Sequence, residues 1–481
     1  MDQPIHYLSA VELRARLQRR DLSARELMNT TYDRIEAHNP SLNALVNLLP
    51  RDQALSLADA ADVKIARGET GALLGLPMAP KDAEDVQGFP TTMGFVPFKD
   101  RVAKHDGLMV ARLKAAGALM IGKSNMPEFG LGSHTFNRVF GHTYNPWDLS
   151  RTPGGSSGGA AVALAAGMLP IADGSDMGGS LRNPASFCNV VGLRPSIGRV
   201  PDNANPLGWF GRIATKGPMG RTVADAALLL SVQTGPISGD PLALIGPVHA
   251  YAQSLTKDLN GMRVAFSPDL GLPVDPAVRK VLSKVPDLMT SLGCHVDLTA
   301  PDFSGAMEVF NVQRAALLSV TGRAFERALP DWREHAKDTV IWNIEQGLAL
   351  TAEAIIASEL ERTRLYRRIA KFFETYDALL LPAAQVPPFA ASLDWVHEVD
   401  GVPMPTYLDW MRVCCVVSVT GLPAISVPAG FTENGLPIGV QIVGKPHGDL
   451  ELLQIAQAVE TATGCYRHHP TLHAVSCESA R

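Results

Sequence analysis

The chain has little surplus charge of either sign, no paired cysteines and no apolar run long enough for a bilayer. Each absence removes a class of function. Forty-three basic against 48 acidic residues leave a formal net charge of −5, so there is no basic field to hold a phosphate backbone and nucleic acid is not an expected partner. The six cysteines, Cys188, Cys294, Cys414, Cys415, Cys465 and Cys477, form no CxxC pair, which argues against disulfides and suits reduced thiols in a cytoplasmic setting. The longest small apolar run, Ala160 to Ala172, is broken by Gly167 and Pro170 and falls short of the roughly 20 residues a membrane span requires. The first residues, Met-Asp-Gln-Pro-Ile-His-Tyr, carry neither a basic nor an apolar leader segment, so secretion is not indicated. No metal-ligand spacing or cofactor motif stands out, and none is expected.

What is present is enough for a large core: 481 residues, 46% hydrophobic and 19% charged. Residues 7–70 read as a helical scaffold, with Ser-x-x-Glu capping boxes at Ser9/Glu12 and Ser23/Glu26. From 71 to 234 short apolar strands alternate with Ala-rich helices: a helix over Gly107–Ala116, a strand over Ala118–Ile121, helices over Gly158–Ala166 and Val223–Val232. Residues 235–400 hold helical patterns at 305–328 and 351–375 and a strand at Ala378–Leu381. This is the region expected to vary the substrate pocket. Residues 401–481 return to core texture, with strands at Leu422–Pro428 and Gly439–Val443 and a helix at Leu450–Thr461. The expectation is one large α/β domain, a central mixed β-sheet covered by helices on both faces.

Three motifs compete for the chemistry. Gly117-Ala-Leu-Met-Ile-Gly122-Lys123-Ser124 fits the phosphate-loop pattern, but a helix precedes it and the supposed loop is itself an apolar strand. Gly154-Gly-Ser156-Ser-Gly158 fits the nucleophile elbow of α/β-hydrolases, which would make Ser156 the nucleophile. That elbow must follow a strand, whereas Asn145–Pro153 holds two prolines and no alternation; His295, His447, His468, His469 and His473 offer no evident partner. The third reading joins the serine turn 154–159 to a second small-residue turn, Asp176-Met-Gly-Gly-Ser180, and to Lys81 in an apolar setting. Glycines free the backbone for close approach, and the successive N–H groups of Met177, Gly178, Gly179 and Ser180 can face one oxygen as an oxyanion hole.

These stretches resemble the amidase signature family. The matching segments are Gly75-Leu-Pro-Met-Ala-Pro-Lys81-Asp82, Lys123-Ser-Asn-Met-Pro-Glu128-Phe, Asn145 to Gly159, Asp176-Met-Gly-Gly-Ser-Leu-Arg-Asn-Pro184, Gly192-Leu-Arg-Pro-Ser196, Gly421 to Gly430, and Gly435-Leu-Pro-Ile-Gly-Val-Gln441. The resemblance implies a Ser–cis-Ser–Lys triad: Ser180 as nucleophile, Ser156 as bridging serine, Lys81 as general base. Ser157 would be an accessory hydroxyl, with Asp176 and Arg182 supporting the turn. Met126, Phe129 and Phe136, with Trp209 and Phe210, are aromatic or thioether choices for a substrate pocket or for the core. Pro80, Met177, Ser175 and Asn183 depart from the commonest family wording, and Asn183 is placed at the pocket rim.

The implied activity is hydrolysis of a carbon–nitrogen bond in a small-molecule amide, with esters or carbamates as side substrates. A homodimer is compatible with this reading. The alternative is a glutamine-hydrolysing component of an amidotransferase that works with partner subunits. Lys81 must be neutral to act as base, and Asp82 and Asp85 would oppose that if they faced its amine.

Overall fold

The computed structural model describes residues 3–210, 212–246 and 248–472, so His473 and Cys477 lie outside the described residues. Its centre is an eight-stranded sheet whose strands, in chain order, are β1 (Ile171–Asp176), β2 (Val191–Arg194), β3 (Thr215–Gly220), β4 (Arg263–Phe266), β5 (His295–Leu298), β6 (Ala378–Pro382), β7 (Ala424–Phe431) and β8 (Pro437–Gly444). Across the sheet they run β5-β4-β6-β8-β7-β2-β3-β1. The sheet is mixed: β4 is parallel to β5 and to β6, and the remaining pairs are antiparallel.

The strand over Ala378–Leu381 shows why the sheet is covered on both sides. Ala378 and Leu380 belong to one hydrophobic core, shared with the helices Val223–Gln233 and Asp449–Thr463, whereas Leu379 and Leu381 belong to another, shared with Ala306–Ala328 and Ala352–Phe372. A strand buried on both faces has no use for a polar alternate position, so it reads as an unbroken apolar run. The expected α/β architecture, with helices on both faces, is the observed one.

The N-terminal helices Ala10–Arg19, Ala24–Leu42 and Arg51–Ala66 share a third core with the Ala-rich helix Gly158–Ala165. The Ser23 capping box is complete, with Ser23 N donating to Glu26 at 2.8 Å and Glu26 N to Ser23 Oγ at 3.1 Å. The Ser9 box is half-formed. Glu12 N donates to Ser9 Oγ, but the Glu12 carboxylate binds Arg16 at 2.8 Å instead of reaching back. An arginine one turn further on competes for the same oxygen.

The segment 117–124 is no phosphate loop. Leu119–Met120 pairs in parallel with Pro77–Met78, and Lys81 bridges to Ser124. The Lys123 side chain is buried, its amine held by the Glu84 carbonyl and 3.7 Å from Asp82. That strand pair turns Lys81 into the interior.

Candidate active site

Lys81 leaves the end of the 77–78 strand pair and enters a pocket of hydroxyls. Its Nζ lies 2.7 Å from Ser156 Oγ, 3.0 Å from Ser157 Oγ and 3.1 Å from Ser175 Oγ, and the residue is 1% exposed. Three hydroxyls match the three donors of an ammonium; a neutral amine offers two and accepts one hydroxyl proton, so the cage serves both states. Burial lowers the Lys81 amine from its ordinary 10.5 to about 8, against the pull of Asp173, Asp176 and Glu84. Asp82 and Asp85 do not face it: Asp82 accepts from the Thr92 amide at 3.2 Å and Asp85 pairs with Arg101 at 2.9 Å.

The Gly155–Ser156 peptide bond is cis. Ser133 and Thr135 brace this turn, Ser133 Oγ donating to Gly155 O at 2.6 Å and Thr135 Oγ1 to Gly154 O at 2.8 Å. The helix Gly158–Ala165 starts directly after the serine pair. At Gly159 a Cβ would stand 2.4 Å from Asn125 N and 2.5 Å from Ala44 O. Only glycine lets the helix start lie this close to the neighbouring backbone.

Ser180 closes the turn that follows β1, and Ser157 N donates to its carbonyl at 3.2 Å. The two serine turns thus meet through the main chain. The Ser180 hydroxyl makes no hydrogen bond to another described residue. Asp176 organises the turn from behind. Its carboxylate accepts from Gly179 N at 2.9 Å and Leu181 N at 3.1 Å, and pairs with Arg182 at 2.8 Å and Arg194 at 3.5 Å. Burial pushes the Asp176 carboxyl up, but Arg182 and Arg194 more than offset this and hold it well below the usual carboxylate range. Because Asp176 engages the Gly179 amide, the amides of Met177, Gly178 and Ser180 are the ones without partners among the described residues.

Arg182 ties the turn to the C-terminal part of the chain. It binds Gln441 in β8, Ser418 Oγ at 2.7 Å and Cys414 O at 3.3 Å. Asn183 is buried rather than at a rim, donating to Ser133 Oγ at 3.0 Å and accepting from Cys414 Sγ at 3.3 Å. Met177 packs into the core under that side of the sheet.

Several charged neighbours of Lys81 carry no sequence signal. Asp173 accepts the Lys81 amide on both oxygens at 3.3 Å, and its carboxyl is pushed up to about 7 by burial and by Glu84. Glu84 is paired at 2.8 Å with Lys216, 132 residues away.

A cavity of about 570 Å³ opens beside the Ser133 brace, walled by Phe136, Trp342, Trp395, Tyr407 and Trp410 with Glu128, Lys337 and Asp394 among them. Phe136, one of the three expected pocket residues, lines this cavity. Phe129 instead packs with Phe95, Phe98 and Phe325, and Met126 is buried. Trp209, 79% exposed, and Phe210 are outside this cavity. His134 lies on the cavity wall, lowered to about 3 by burial. No histidine among the described residues bonds Ser156 or Ser180. Among the described residues there is no cluster of three metal-ligating side chains, and no helix is long and apolar enough to cross a membrane. Cys188, Cys294, Cys414, Cys415 and Cys465 are buried free thiols.

This chain and its fold have known counterparts. The chain matches the Amidase family model over residues 26–453 and belongs to that family, the amidase signature enzymes. It is 35% identical over 464 residues to an acylamidase of Rhodococcus erythropolis, covering 95% of this chain and 96% of that protein. It is 34% identical over 492 residues to one of the subunits of the glutamyl-tRNA(Gln) amidotransferase of Moorella thermoacetica, covering 97% and 99% respectively. Among solved structures it superposes on a bacterial aryl acylamidase of the amidase signature family with a TM-score of 0.89 at 29% identity, covering 96% of this chain and 98% of the other. The protein is a carbon–nitrogen hydrolase.

Proposed function

We propose that the protein hydrolyses acyl or aryl amides through an acyl-enzyme on Ser180, with Ser156 as the proton bridge and Lys81 as the base. The 2.7 Å contact between Lys81 Nζ and Ser156 Oγ in a buried cage carries this reading. Neutral Lys81 takes the Ser156 proton while Ser156 takes that of Ser180, and the Ser180 oxygen attacks the substrate carbonyl. The unengaged amides of the 177–180 turn receive the developing oxyanion. The proton returns through Ser156 to the leaving nitrogen, which must depart as a neutral amine. Water then attacks the acyl-enzyme, activated by the same pair.

Residues 235–400 supply much of the cavity wall, including Lys337, Trp342, Asp394 and Trp395, and we assign them the selection of substrate. Aromatic walls suit an acyl chain or aryl ring. The second reading, a glutamine-hydrolysing component of a larger enzyme, draws on the similarity to the amidotransferase relative. A kcat/KM panel of anilides, primary amides, esters, carbamates and glutamine tests both. Turnover of anilides by the isolated chain supports the first; turnover confined to glutamine, and only with added partner subunits, overturns it.

A further inference from the structure

Arg314 sits in the helix Ala306–Ala328, 2% exposed. Its only polar contact among the described residues is one hydrogen bond, Nη1 to the Tyr407 hydroxyl at 3.3 Å; otherwise it faces the rings of Trp342 at 5.3 Å and Phe310 at 5.9 Å. Its Nε is buried without a partner among the described residues. A guanidinium carries five N–H donors and a permanent charge, and folded proteins bury such a group against a carboxylate or another anion. Among the described residues no carboxylate serves Arg314.

Arg314 lines a second cavity of about 410 Å³. Asp409 pairs with Arg412 and accepts from Thr406 N at 2.6 Å and Thr406 Oγ1 at 2.7 Å, while Glu308 is exposed. Trp342 and Thr406 line this cavity and the larger one described above, so the two share a wall. The lining of this cavity thus brings together a buried guanidinium that has one hydrogen bond among the described residues and the Trp342 indole.

We propose that this cavity binds an organic carboxylate on Arg314, with the hydrocarbon or aryl body of the ligand against Trp342. The carboxylate belongs either to the far end of the amide substrate or to a separate effector. The first source rests on the amide-hydrolase reading; the second does not.

Tryptophan fluorescence of the intact protein, titrated with 4-phenylbutyrate and with 4-phenylbutanol as the uncharged control, reads binding without turnover. Saturable binding of the acid is expected, weakened about tenfold or more in Arg314→Met and Arg314→Gln and largely kept in Arg314→Lys. Near-UV circular dichroism establishes that each variant is folded. A second arm compares kcat/KM for the monoanilide of adipic acid with that for its methyl ester. A wild-type preference for the acid that Arg314→Gln erases assigns the carboxylate to the substrate. Binding of phenylbutyrate without such a preference assigns it to a separate ligand. Equal affinity in wild type and folded Arg314→Gln, or no saturable binding to wild type, overturns the proposal. The fluorescence arm stands even if no acyl-enzyme forms on Ser180, so the two readings fail separately.

Discussion

Lys81 and Asp173 are joined through the main chain and not through their charges: the Lys81 amide donates to both Asp173 oxygens at 3.3 Å, while Lys81 Nζ goes to the serines. The carboxylate fixes where the lysine leaves the backbone, and the amine stays with the hydroxyls. Asp173 still favours the charged amine over distance, and burial outweighs that pull.

The pH dependence of turnover follows from this balance. With its amine at about 8, Lys81 is neutral in roughly a tenth of the molecules at pH 7 and about half near pH 8. The rate is expected to rise about tenfold per pH unit on the acid side and to level off above pH 8 to 9. A kcat/KM profile that is flat from pH 6 to 9 is incompatible with Lys81 as base.

Removal of the amine gives the companion result. Lys81→Ala is expected to lower kcat by on the order of 10³-fold, within the range for a lost general base. Single-turnover kinetics on an anilide, with circular dichroism as the fold control, make the measurement. Turnover within tenfold of wild type would sink the mechanism.

Serine-directed labelling separates the two serine turns. A fluorophosphonate is expected to modify Ser180, with Ser180→Ala abolishing the label and Ser156→Ala slowing its formation. Peptide mapping by mass spectrometry reads the site. Label on Ser156 in the wild type would favour the elbow reading.

Asp176 couples the turn to stability. Its folded carboxyl is depressed by Arg182 and Arg194, so its contribution is present above the unfolded value near 3.8 and is lost as the pH falls towards the folded one. Asp176→Asn leaves two buried guanidiniums without their counter-charge, and a loss of about 3–5 kcal/mol is expected from breaking such a pair. Urea denaturation at pH 7 measures it; a loss under 1 kcal/mol would contradict the role assigned to Asp176.

Gly159→Ala tests the close approach beneath the serine pair. The added methyl would meet the Asn125 and Ala44 backbone at 2.4–2.5 Å, and backbone has no rotamer by which to give way. Destabilisation of about 1–3 kcal/mol or more is expected, as for other forced overpacking. Gly464→Ala, where a Cβ meets nothing within 4 Å but φ is +63°, serves as the comparison for conformational strain alone.

Local features are the legible ones. The serine turns announce themselves through flanking glycines, the Ser23 box through its spacing, and the strand at Ala378–Leu381 through its unbroken apolar run. Partners brought in from afar are not legible. Lys216 meets Glu84 across 132 residues, and Asp173 looks in sequence like any polar residue before a turn. Phe129 and Phe136 are alike as residues, yet one packs in an aromatic cluster and the other lines a cavity. Which of them faces the cavity is set by tertiary packing, which no local pattern encodes.

The last two of the eight strands to leave the ribosome, β7 and β8, lie in the middle of the sheet, between β2 and β6, and Arg182 behind the Ser180 turn reaches into β8 through Gln441. A nascent chain that has already exposed its serines therefore lacks the partners that fix them. The sheet closes only once both of these strands are in place, and non-local closure of this kind folds slowly compared with a chain of local contacts.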